Sequence, residues 1–355
     1  MFLQDKVGRI SVLIPLFGAG LGDCVMILPM IEALKQLSQI KIDLLVSEKS
    51  VSQAFFLQYP GINTLLTTSD NLQSYDLFLG HYMGARLFTF FKLIIVLKIK
   101  NPSIHFLCHR PQSGLFIGKF RSLLAFFFRI CFVDVNYKQH NTQNFLNLVN
   151  QLGISVQKEG VIPDISAYAL TLTSQHHVHD LRPYVVIHPG TAINDSAKRW
   201  PIQYWVTLAE LLSERGFHVI IVGSEQEKSF ETYFSKLIFS KKISSLIGVT
   251  TISELISILF NAEFFVGQDS GVAHLAAATG KTSIVLWGPT SRVMNDICGK
   301  NVHVLSRHLP CSPCIPAGGD EREALRRCQN DQACLKGMEP SWVINNIMTI
   351  VSEAN

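Results

Sequence analysis

One stretch of the chain, Val266–Pro289, constrains the fold more than any other part of the sequence. It reads VGQDSGVAHLAAATGKTSIVLWGP: an apolar strand ends at Asp269-Ser270-Gly271, a helix of small residues carries His274, and a second strand follows. A polar turn that opens a helix offers free backbone N–H groups at the positive end of the helix dipole, a favourable place for a phosphate. The pattern predicts either a phosphate-binding turn or an ordinary strand–turn–helix connection of an α/β domain.

Short apolar strands alternate with helices along the rest of the chain. The predicted strands of the first half are Ile10–Pro15, Lys41–Val46, Asp76–Leu79 and Ile104–Cys108. Those of the second half are Tyr184–His188, His218–Val222, Phe264–Val266 and Ser283–Trp287. This alternation is typical of parallel sheets covered by helices on both faces, so we expect an α/β fold.

The length of the chain, 355 residues, predicts two domains of about 170 residues each. We place the first at residues 1–175, with a linker from about residue 155, and the second at residues 176–355. The second includes a cysteine-containing segment, 311–334, and a C-terminal helix. The stretch Ser155–Pro183 is polar and contains two prolines, and we interpret it as the linker between the domains.

Three further segments place a polar turn after a predicted strand. They are Phe17–Asp23, which precedes a predicted helix from about Cys24 to Leu37, then His188–Thr191 with Lys198–Pro201, and Val222–Glu227. In their order and spacing, these segments and Val266–Pro289 resemble the lipopolysaccharide heptosyltransferases of glycosyltransferase family 9. The resemblance covers most of the chain. It is strong over residues 184–290 and weaker in the N-terminal half outside Gly18–Pro29.

The resemblance implies the GT-B architecture, an α/β fold in which two Rossmann-like domains with parallel sheets face a cleft. It implies an inverting glycosyltransferase that moves heptose from ADP-heptose to a lipopolysaccharide core acceptor at the cytoplasmic membrane face, with no cofactor required for catalysis. Two alternatives stay open: a family 9 transferase that uses another nucleotide sugar for O-chain or capsule assembly, and a non-catalytic member that only binds a nucleotide.

The glycine-rich loop after the first strand argues against a dinucleotide site. Its sequence is Gly18-Ala-Gly20-Leu-Gly22-Asp23. The dinucleotide-binding pattern has its third glycine at the sixth position, where the helix packs close to the strand. Here the sixth position is Asp23, whose carboxylate would meet a pyrophosphate at the helix N-terminus. An NAD-dependent oxidoreductase is therefore disfavoured.

Asp23 has two interpretations from the residues alone. It is either a helix cap or a general base, since a carboxylate within hydrogen-bond reach accepts the proton of a sugar hydroxyl during attack on an anomeric carbon. The family resemblance implies the base, with Gly20 and Gly22 in the loop that receives the acceptor. We expect the helix dipole to lower the pKa of Asp23 and keep it ionised.

The second domain carries the candidate residues for a diphosphate. Departure of a nucleoside diphosphate builds negative charge, which cationic side chains and backbone N–H groups can stabilise. Lys198 resembles the diphosphate-binding lysine of the family and would act in catalysis; a surface lysine before a helix is the alternative. Ser270 and Gly271 would supply N–H groups, and Thr191 a hydroxyl.

Three further residues complete the predicted donor site. His274 would hydrogen-bond the phosphate or the transferred sugar, unless it is a structural histidine. Asp269 would orient the loop or contact the donor sugar. By family spacing, Glu227 rather than Glu225 would bind the ribose hydroxyls. Adenine as the base, in a pocket near Ile247-Gly248, follows from the resemblance alone.

Four cysteines lie in the spacing Cys311-x2-Cys314-x13-Cys328-x5-Cys334. This spacing is compatible with a structural zinc or iron site, and reduced cysteines packed around a loop are the alternative. Relative to the family, the segment carries an insertion, Ala317–Arg327. No catalytic role is expected for these thiols.

The first 175 residues are basic, with 15 Lys and Arg against 10 Asp and Glu. Within them, residues 86–129 interleave basic and aromatic side chains, which predicts either an interfacial surface for an anionic glycolipid or buried helices with solvated basic faces. Nucleic acid is a poor candidate partner because no nucleic-acid-binding motif accompanies the charge. No signal peptide or membrane span is evident, so we expect a cytoplasmic protein, with peripheral contact to the inner membrane as a further expectation.

Overall fold

The computed structural model describes residues 9–37, 39–67, 70–80, 87–109, 126–154, 156, 162–176, 178–191, 196–316 and 328–354. The chain divides into two units, Met1–Val161 and Ile162–Asn355. The division falls inside the stretch Ser155–Pro183 that the sequence predicts as a linker. Each unit is built around one six-stranded parallel sheet.

The sheet of the first unit has the strand order β3-β2-β1-β4-β5-β6. Its strands are β1 (Ile10–Pro15), β2 (Ile40–Leu45), β3 (Thr64–Leu66), β4 (Leu77–Gly80), β5 (His105–His109) and β6 (Ile130–Val133). The helices are α1 (Leu21–Met26), α2 (Leu28–Lys35), α3 (Val51–Phe56), α4 (Leu87–Lys100) and α5 (Asn141–Asn150). Leu13 on β1, Phe78 on β4 and Leu97 on α4 belong to one buried cluster, which joins the centre of the sheet to a covering helix.

The sheet of the second unit has the strand order β12-β11-β10-β7-β8-β9. Its strands are β7 (Tyr184–Ile187), β8 (His218–Ile221), β9 (Ile243–Ser245), β10 (Phe265–Gln268), β11 (Ser283–Trp287) and β12 (Val302–Ser306). The helices are α6 (Ser166–Ala169), α7 (Ile202–Glu214), α8 (Glu231–Phe239), α9 (Ile252–Asn261), α10 (Gly271–Ala278), α11 (Arg292–Asn295), α12 (Ala333–Lys336) and α13 (Pro340–Ala354). Short 3₁₀ helices lie at Val178–Leu181, Ser196–Lys198 and Glu225–Phe230.

The core of the second unit explains why the apolar strands and helices come together. Val185 on β7, Leu212 on α7 and Ile347 on α13 are fully buried in one cluster. The C-terminal helix thus covers the same face of the sheet as α7. Burial of such side chains is the main favourable contribution to folding, at about 25 cal/mol per Å² of apolar surface.

The two sheets share one topology, and this topology positions the candidate site. Counted from the first strand of each unit, both sheets have the order 3-2-1-4-5-6, which is the doubly wound Rossmann arrangement. The strand order reverses between β1 and β4 in one sheet and between β7 and β10 in the other. Ligands in such folds bind outside the carboxyl ends of the strands at that point.

The predicted strands and the observed ones differ at the sheet edges. All eight predicted strands overlap observed strands, whereas β3, β6, β9 and β12 were not predicted. These four are the edge strands of the two sheets. Each is only partly buried. β3 and β9 have three residues each and β12 is interrupted by polar residues, whereas β6 is apolar throughout.

The prediction of one continuous helix from Cys24 to Leu37 is wrong. The chain forms α1 and α2 instead, with a break at Ile27. Pro29 lies at the start of α2, where its missing N–H costs nothing, because the first N–H groups of a helix have no partner within it.

Candidate active site

The predicted phosphate-binding turn lies at the carboxyl end of β10, beside the point where the strand order reverses. Ser270 is the N-cap of α10, and its Oγ accepts a hydrogen bond from the backbone N of Ala273 at 3.4 Å. Gly271 is the first residue of this eight-residue helix. The first N–H groups of a helix have no partner within it and lie at the positive end of its dipole, which favours an anion here.

Lys198 reaches this turn from the 3₁₀ turn Ser196–Lys198. Its Nζ lies 3.1 Å from Oδ2 of Asp269, and both side chains are largely buried. The same Oδ2 accepts a hydrogen bond from Oγ1 of Thr290 at 2.8 Å. Two residues that the sequence assigned to the donor site from segments far apart in the chain, Lys198 and Asp269, are therefore in direct contact.

His188, the first residue after β7, connects the turn to Glu227. Its Nδ1 lies 3.2 Å from Oγ of Ser270, and its Nε2 lies 3.4 Å from Oε1 of Glu227. Oε2 of Glu227 accepts hydrogen bonds from the backbone N and the hydroxyl of Ser224, at 2.6 and 2.9 Å. Burial alone would raise the pKa of Glu227, but His188 and Ser224 together hold that pKa below its ordinary value.

The two candidate glutamates have different environments. Glu227 is buried against Gly190, where an added Cβ would lie 1.3 Å from its Oε1, so a larger residue there would have to displace the Glu227 carboxylate. Glu225 is exposed and lies beside Gly248, where an added Cβ would lie 2.2 Å from its Oε2. Glu227 is therefore the carboxylate that His188 connects to Ser270, and Glu225 borders the segment in which we expect the base pocket.

Gln268, the last residue of β10, is fully buried and was not among the predicted site residues. Its Nε2 donates to the carbonyl oxygens of Pro189 and Gly190, at 2.7 and 3.3 Å. Its Oε1 accepts from the backbone N of Trp200. Gln268 thus ties the turn after β7 to the segment that carries Lys198.

Thr191 and His274 are also buried near these segments. Thr191 is 7% exposed, and its Oγ1 accepts a hydrogen bond from Nε of Arg199 at 3.3 Å. His274 is 6% exposed and lies one turn into α10.

Sequence reasoning missed four residues of this site: His188, Arg199, Gln268 and Thr290. Each is polar and lies within four residues of a predicted site residue or of the end of a central strand. Polar residues at the carboxyl ends of central strands are the signal that could have found them.

Asp23 occupies the corresponding place in the first unit, after β1. It is the third residue of α1, and its Oδ2 accepts a hydrogen bond from the backbone N of Gly20 at 2.9 Å. The expected lowering of its pKa is wrong: burial raises the pKa of Asp23 more than the Gly20 N–H lowers it. A carboxylate with a raised pKa is a stronger proton acceptor, which suits a general base. Gly20 precedes α1 and Gly22 lies within its first turn.

The four cysteines of segment 311–334 lie close enough to affect one another. Cys311, Cys314 and Cys328 are exposed, and Cys334 is buried. Burial, followed by the charges of the neighbouring thiols, raises the pKa of Cys334 to about 11. Among the described residues, no group of three or more His, Cys, Asp or Glu side chains is arranged to hold a metal ion. The proposed insertion, Ala317–Arg327, lies outside the described residues.

Part of the basic, aromatic segment 86–129 is described. On α4, Ile94 and Leu97 are buried while Ile99 is 75% exposed, and Phe126 and Phe127 are 79% and 66% exposed. Residues 110–125 lie outside the described ranges. Throughout the part of the chain that is described, no helix is long and apolar enough to cross a membrane.

Comparison with known proteins decides the family. A family model described as glycosyltransferase family 9 (heptosyltransferase) matches residues 104–324, more than half of the chain. The chain belongs to glycosyltransferase family 9. Among curated family relatives, the lipooligosaccharide heptosyltransferase 2 of Haemophilus influenzae is 32% identical over 113 residues, which is 31% of this chain and 32% of the relative. This family 9 chain thus spans about a third of the length of that relative.

Two solved structures extend the similarity over nearly the whole chain. Escherichia coli heptosyltransferase WaaC with ADP-2-deoxy-2-fluoro heptose has a TM-score of 0.66 and 20% identity, covering 96% of this chain and 99% of that one. The iron-containing dodecameric glycosyltransferase TibC from enterotoxigenic E. coli has a TM-score of 0.61 and 17% identity, covering 99% and 78%. At these identities the likeness is one of fold, and it confirms the predicted α/β fold of GT-B heptosyltransferases.

Proposed function

We propose that this family 9 chain is an inverting glycosyltransferase that moves heptose from ADP-heptose to a lipopolysaccharide core acceptor at the cytoplasmic membrane face. The family and the name of the H. influenzae relative support heptose transfer. The structure of WaaC with ADP-2-deoxy-2-fluoro heptose supports ADP-heptose as the donor. Another nucleotide sugar, used in O-chain or capsule assembly, is the alternative within the family.

One observation carries the proposal: Lys198, Asp269 and Ser270 meet at the N-terminus of α10. When the bond between the sugar and the diphosphate breaks, negative charge develops on the phosphate oxygens. The Lys198 ammonium and the first N–H groups of α10 would stabilise that charge in a largely buried site, where such interactions are strong. Asp269 holds the ammonium in place before the donor binds.

The remaining donor residues have roles that follow from their positions. The Glu227 carboxylate, kept ionised by His188 and Ser224, would accept hydrogen bonds from the ribose hydroxyls. Thr191 would donate its hydroxyl to a phosphate oxygen, and His274 would contact the phosphate or the sugar. Adenine would bind near Ile247-Gly248, at the carboxyl end of the neighbouring strand β9.

Asp23 would serve as the general base of the transfer. The acceptor oxygen attacks the anomeric carbon from the face opposite the diphosphate while its proton moves to the Asp23 carboxylate. The bond between the anomeric carbon and the diphosphate oxygen breaks, and its electron pair leaves with ADP. Attack from the opposite face inverts the anomeric configuration. Gly20 and Gly22 leave room for the acceptor beside Asp23, because neither carries a side chain.

The first unit would receive the anionic acceptor at the membrane surface. Two of its exposed aromatic residues, Phe126 and Phe127, lie in the same basic segment as Lys92, Lys98 and Lys100. Apolar side chains beside cationic ones suit the boundary between lipid chains and anionic head groups.

The cysteine segment is not required by this mechanism. Thiolates suit zinc or iron, and the related glycosyltransferase TibC is iron-containing. Here the thiols as placed form no metal-holding group within the described residues, so the donor set does not fit a metal in this arrangement. Elemental analysis of the purified protein distinguishes the two alternatives: one equivalent of metal per chain, lost in Cys311→Ser, would indicate a zinc or iron site, and no metal would indicate reduced cysteines packed around a loop.

A thermal-shift titration with ADP, UDP, GDP, CMP and NAD tests the donor site. We expect selective stabilisation by ADP that Lys198→Met reduces. Lys300→Met is the matched control, because Lys300 pairs with Asp164 at an exposed position away from the candidate site. A preference for UDP or GDP would replace ADP-heptose by another donor. A response to NAD alone, or to no nucleotide, would overturn the donor site.

A further inference from the structure

Lys198 stands on a segment with little regular structure of its own. Lys198 is the last residue of a single 3₁₀ turn, Ser196–Lys198, and the next helix, α7, begins only at Ile202. A long, flexible side chain on such a segment reaches a fixed point only if the backbone below it is held. Contacts from outside the segment must therefore hold this backbone.

The side chain of Gln268 supplies one such contact from inside the sheet. Its Oε1 accepts the backbone N–H of Trp200, two residues after Lys198. Its Nε2 donates to the carbonyl oxygens of Pro189 and Gly190. All of these polar groups are buried, so the loss of one partner leaves another without a hydrogen bond.

Trp200 is held a second time by its own side chain. Its Nε1 donates to the carbonyl oxygen of Met338 at 2.9 Å, and its ring meets that of Trp205 edge to face at 5.0 Å. These contacts fix the indole, whereas Gln268 fixes the backbone N–H. Two adjacent residues therefore hold the Lys198–Trp200 segment. Gln268 binds its backbone at Trp200, and Asp269 binds the Lys198 ammonium.

We propose that Gln268 is a positioning residue that sets the place of the Lys198 ammonium at the diphosphate. The inference rests on the proposed donor site. Gln268 itself need not touch the donor: it acts through the backbone of the Lys198–Trp200 segment. Small displacements matter because a misplacement of about 1 Å costs on the order of 100-fold in rate.

A double-mutant cycle between Gln268 and Lys198 tests the proposal. Gln268→Met keeps the length of the side chain and removes its hydrogen bonds. We expect it to weaken ADP binding about 10-fold by calorimetry and to lower kcat/KM by a factor on the order of 100. In the Lys198→Met background, the same change is expected to weaken ADP binding by less than about 2-fold, because the group it positions is gone.

Two control variants separate positioning from general destabilisation. Leu212→Ala removes a fully buried side chain of α7 and lowers Tm without touching the donor residues. Gln203→Met makes the same chemical change on the exposed face of α7. Both are expected to leave the ADP dissociation constant unchanged. If Gln268→Met does not fold, Gln268→Glu enters the same cycle. It loses the donations to Pro189 and Gly190 and places an oxygen against their carbonyl oxygens, so weaker ADP binding that disappears in the Lys198→Met background is again the expected result.

The outcomes distinguish this inference from the proposed function. If Gln268→Met lowers Tm as Leu212→Ala does but binds ADP normally, Gln268 is structural only and the inference is overturned. Full additivity of the effects of Gln268→Met and Lys198→Met on ADP binding would also overturn it. If Lys198→Met alone binds ADP as well as the wild type, the proposed donor site fails, and the inference fails with it.

Discussion

The two sheets of this chain have the same strand order but opposite chemistry at the point where that order reverses. After β1, the first unit presents a glycine turn and Asp23, a carboxyl group whose pKa is raised by burial. After β7 and β10, the second unit presents Lys198 and the N-terminus of α10. One site is suited to accept a proton and the other to hold an anion.

The difference teaches that topology fixes where chemistry occurs, while a few side chains fix which chemistry it is. Asp23 and Ser270 both lie at the start of a helix after a central strand. The Asp23 carboxylate accepts the N–H of Gly20 and brings negative charge, whereas neutral Ser270 leaves the positive end of α10 to a ligand. Substitutions at the two sites should therefore have different consequences.

The largest expected effect is that of Asp23→Asn on the transfer step. Loss of a general base lowers kcat by about 10²–10⁴-fold. The affinity for ADP should stay within about 2-fold of wild type, because the proposed donor residues all lie in the second unit. A transfer assay with ADP-heptose, combined with calorimetry of ADP binding, measures both quantities.

Asp70→Asn is the matched control for Asp23→Asn. Asp70 also lies in the first unit, and its Oδ2 accepts the backbone N–H of Thr67, three residues earlier, at 2.6 Å. Hydrogen bonds from the backbone and the side chain of Thr67 lower the pKa of Asp70, whereas burial raises the pKa of Asp23. Wild-type turnover is expected for Asp70→Asn. Wild-type turnover in Asp23→Asn would remove the base assignment.

Lys198→Met should produce the next largest effect, with a different kinetic pattern. Removal of one group that stabilises developing charge costs about 10²–10³-fold in kcat. Unlike Asp23→Asn, this change should also weaken ADP binding, since in the proposed donor site the ammonium would meet the diphosphate in both the ground state and the transition state. Steady-state kinetics and ADP calorimetry measure both effects. If Asp23→Asn and Lys198→Met both lowered kcat and left ADP binding unchanged, the contrast between the two units would be contradicted.

Gly190→Ala and Gly20→Ala compare the packing of the two turns. A Cβ at Gly190 would overlap Oε1 of Glu227, at 1.3 Å, whereas a Cβ at Gly20 would meet Oδ2 of Asp23 at an ordinary 3.6 Å. We expect Gly190→Ala to cost about 1–3 kcal/mol of unfolding free energy. Gly20→Ala should stay within about 0.5 kcal/mol of wild type. Denaturant unfolding measures both, and equal losses would contradict the comparison.

The smallest expected effects are opposite pH dependences of stability. The folded-state pKa of Asp23 is raised, so its contribution to stability is present below the unfolded pKa of about 3.9 and is lost as pH rises through the folded value. The folded-state pKa of Glu227 is lowered, so its contribution is present above the unfolded pKa of about 4.3 and is lost as pH falls through the folded value.

The two neutralising variants should therefore change Tm in opposite directions. Asp23→Asn should raise Tm at neutral pH relative to wild type, with the difference shrinking as the pH is lowered. Glu227→Gln should lower Tm at neutral pH, and the difference in Tm between this variant and wild type should also shrink as the pH is lowered. Thermal unfolding from pH 4 to pH 8 measures both, and a parallel response of the two variants would contradict the assigned environments.

Prediction from the sequence succeeded where the signal is local. The central strands are buried on both faces and show as continuous apolar runs, and the polar turns after β1, β7 and β10 show as glycine-rich or charged interruptions. The edge strands β3 and β9 escaped prediction because they are short and only partly buried, so neither has an apolar run like those of the central strands. The break between α1 and α2 was missed although Pro29 marks it.

The sequence by itself determined the α/β alternation, the central strands and the residues Asp23, Lys198, Asp269 and Ser270 as candidates. The alternation and the strands depend on residues close together in the chain, and the four candidates depend on short motifs and on the order of those motifs, which gives the family resemblance. The tertiary structure alone decided that Glu227 is buried against Gly190, that burial raises the pKa of Asp23, and that Gln268 holds the backbone of Trp200. These facts depend on contacts between distant segments, such as the 68 positions that separate Trp200 from Gln268. Only the folded chain brings such segments together and removes water from between them.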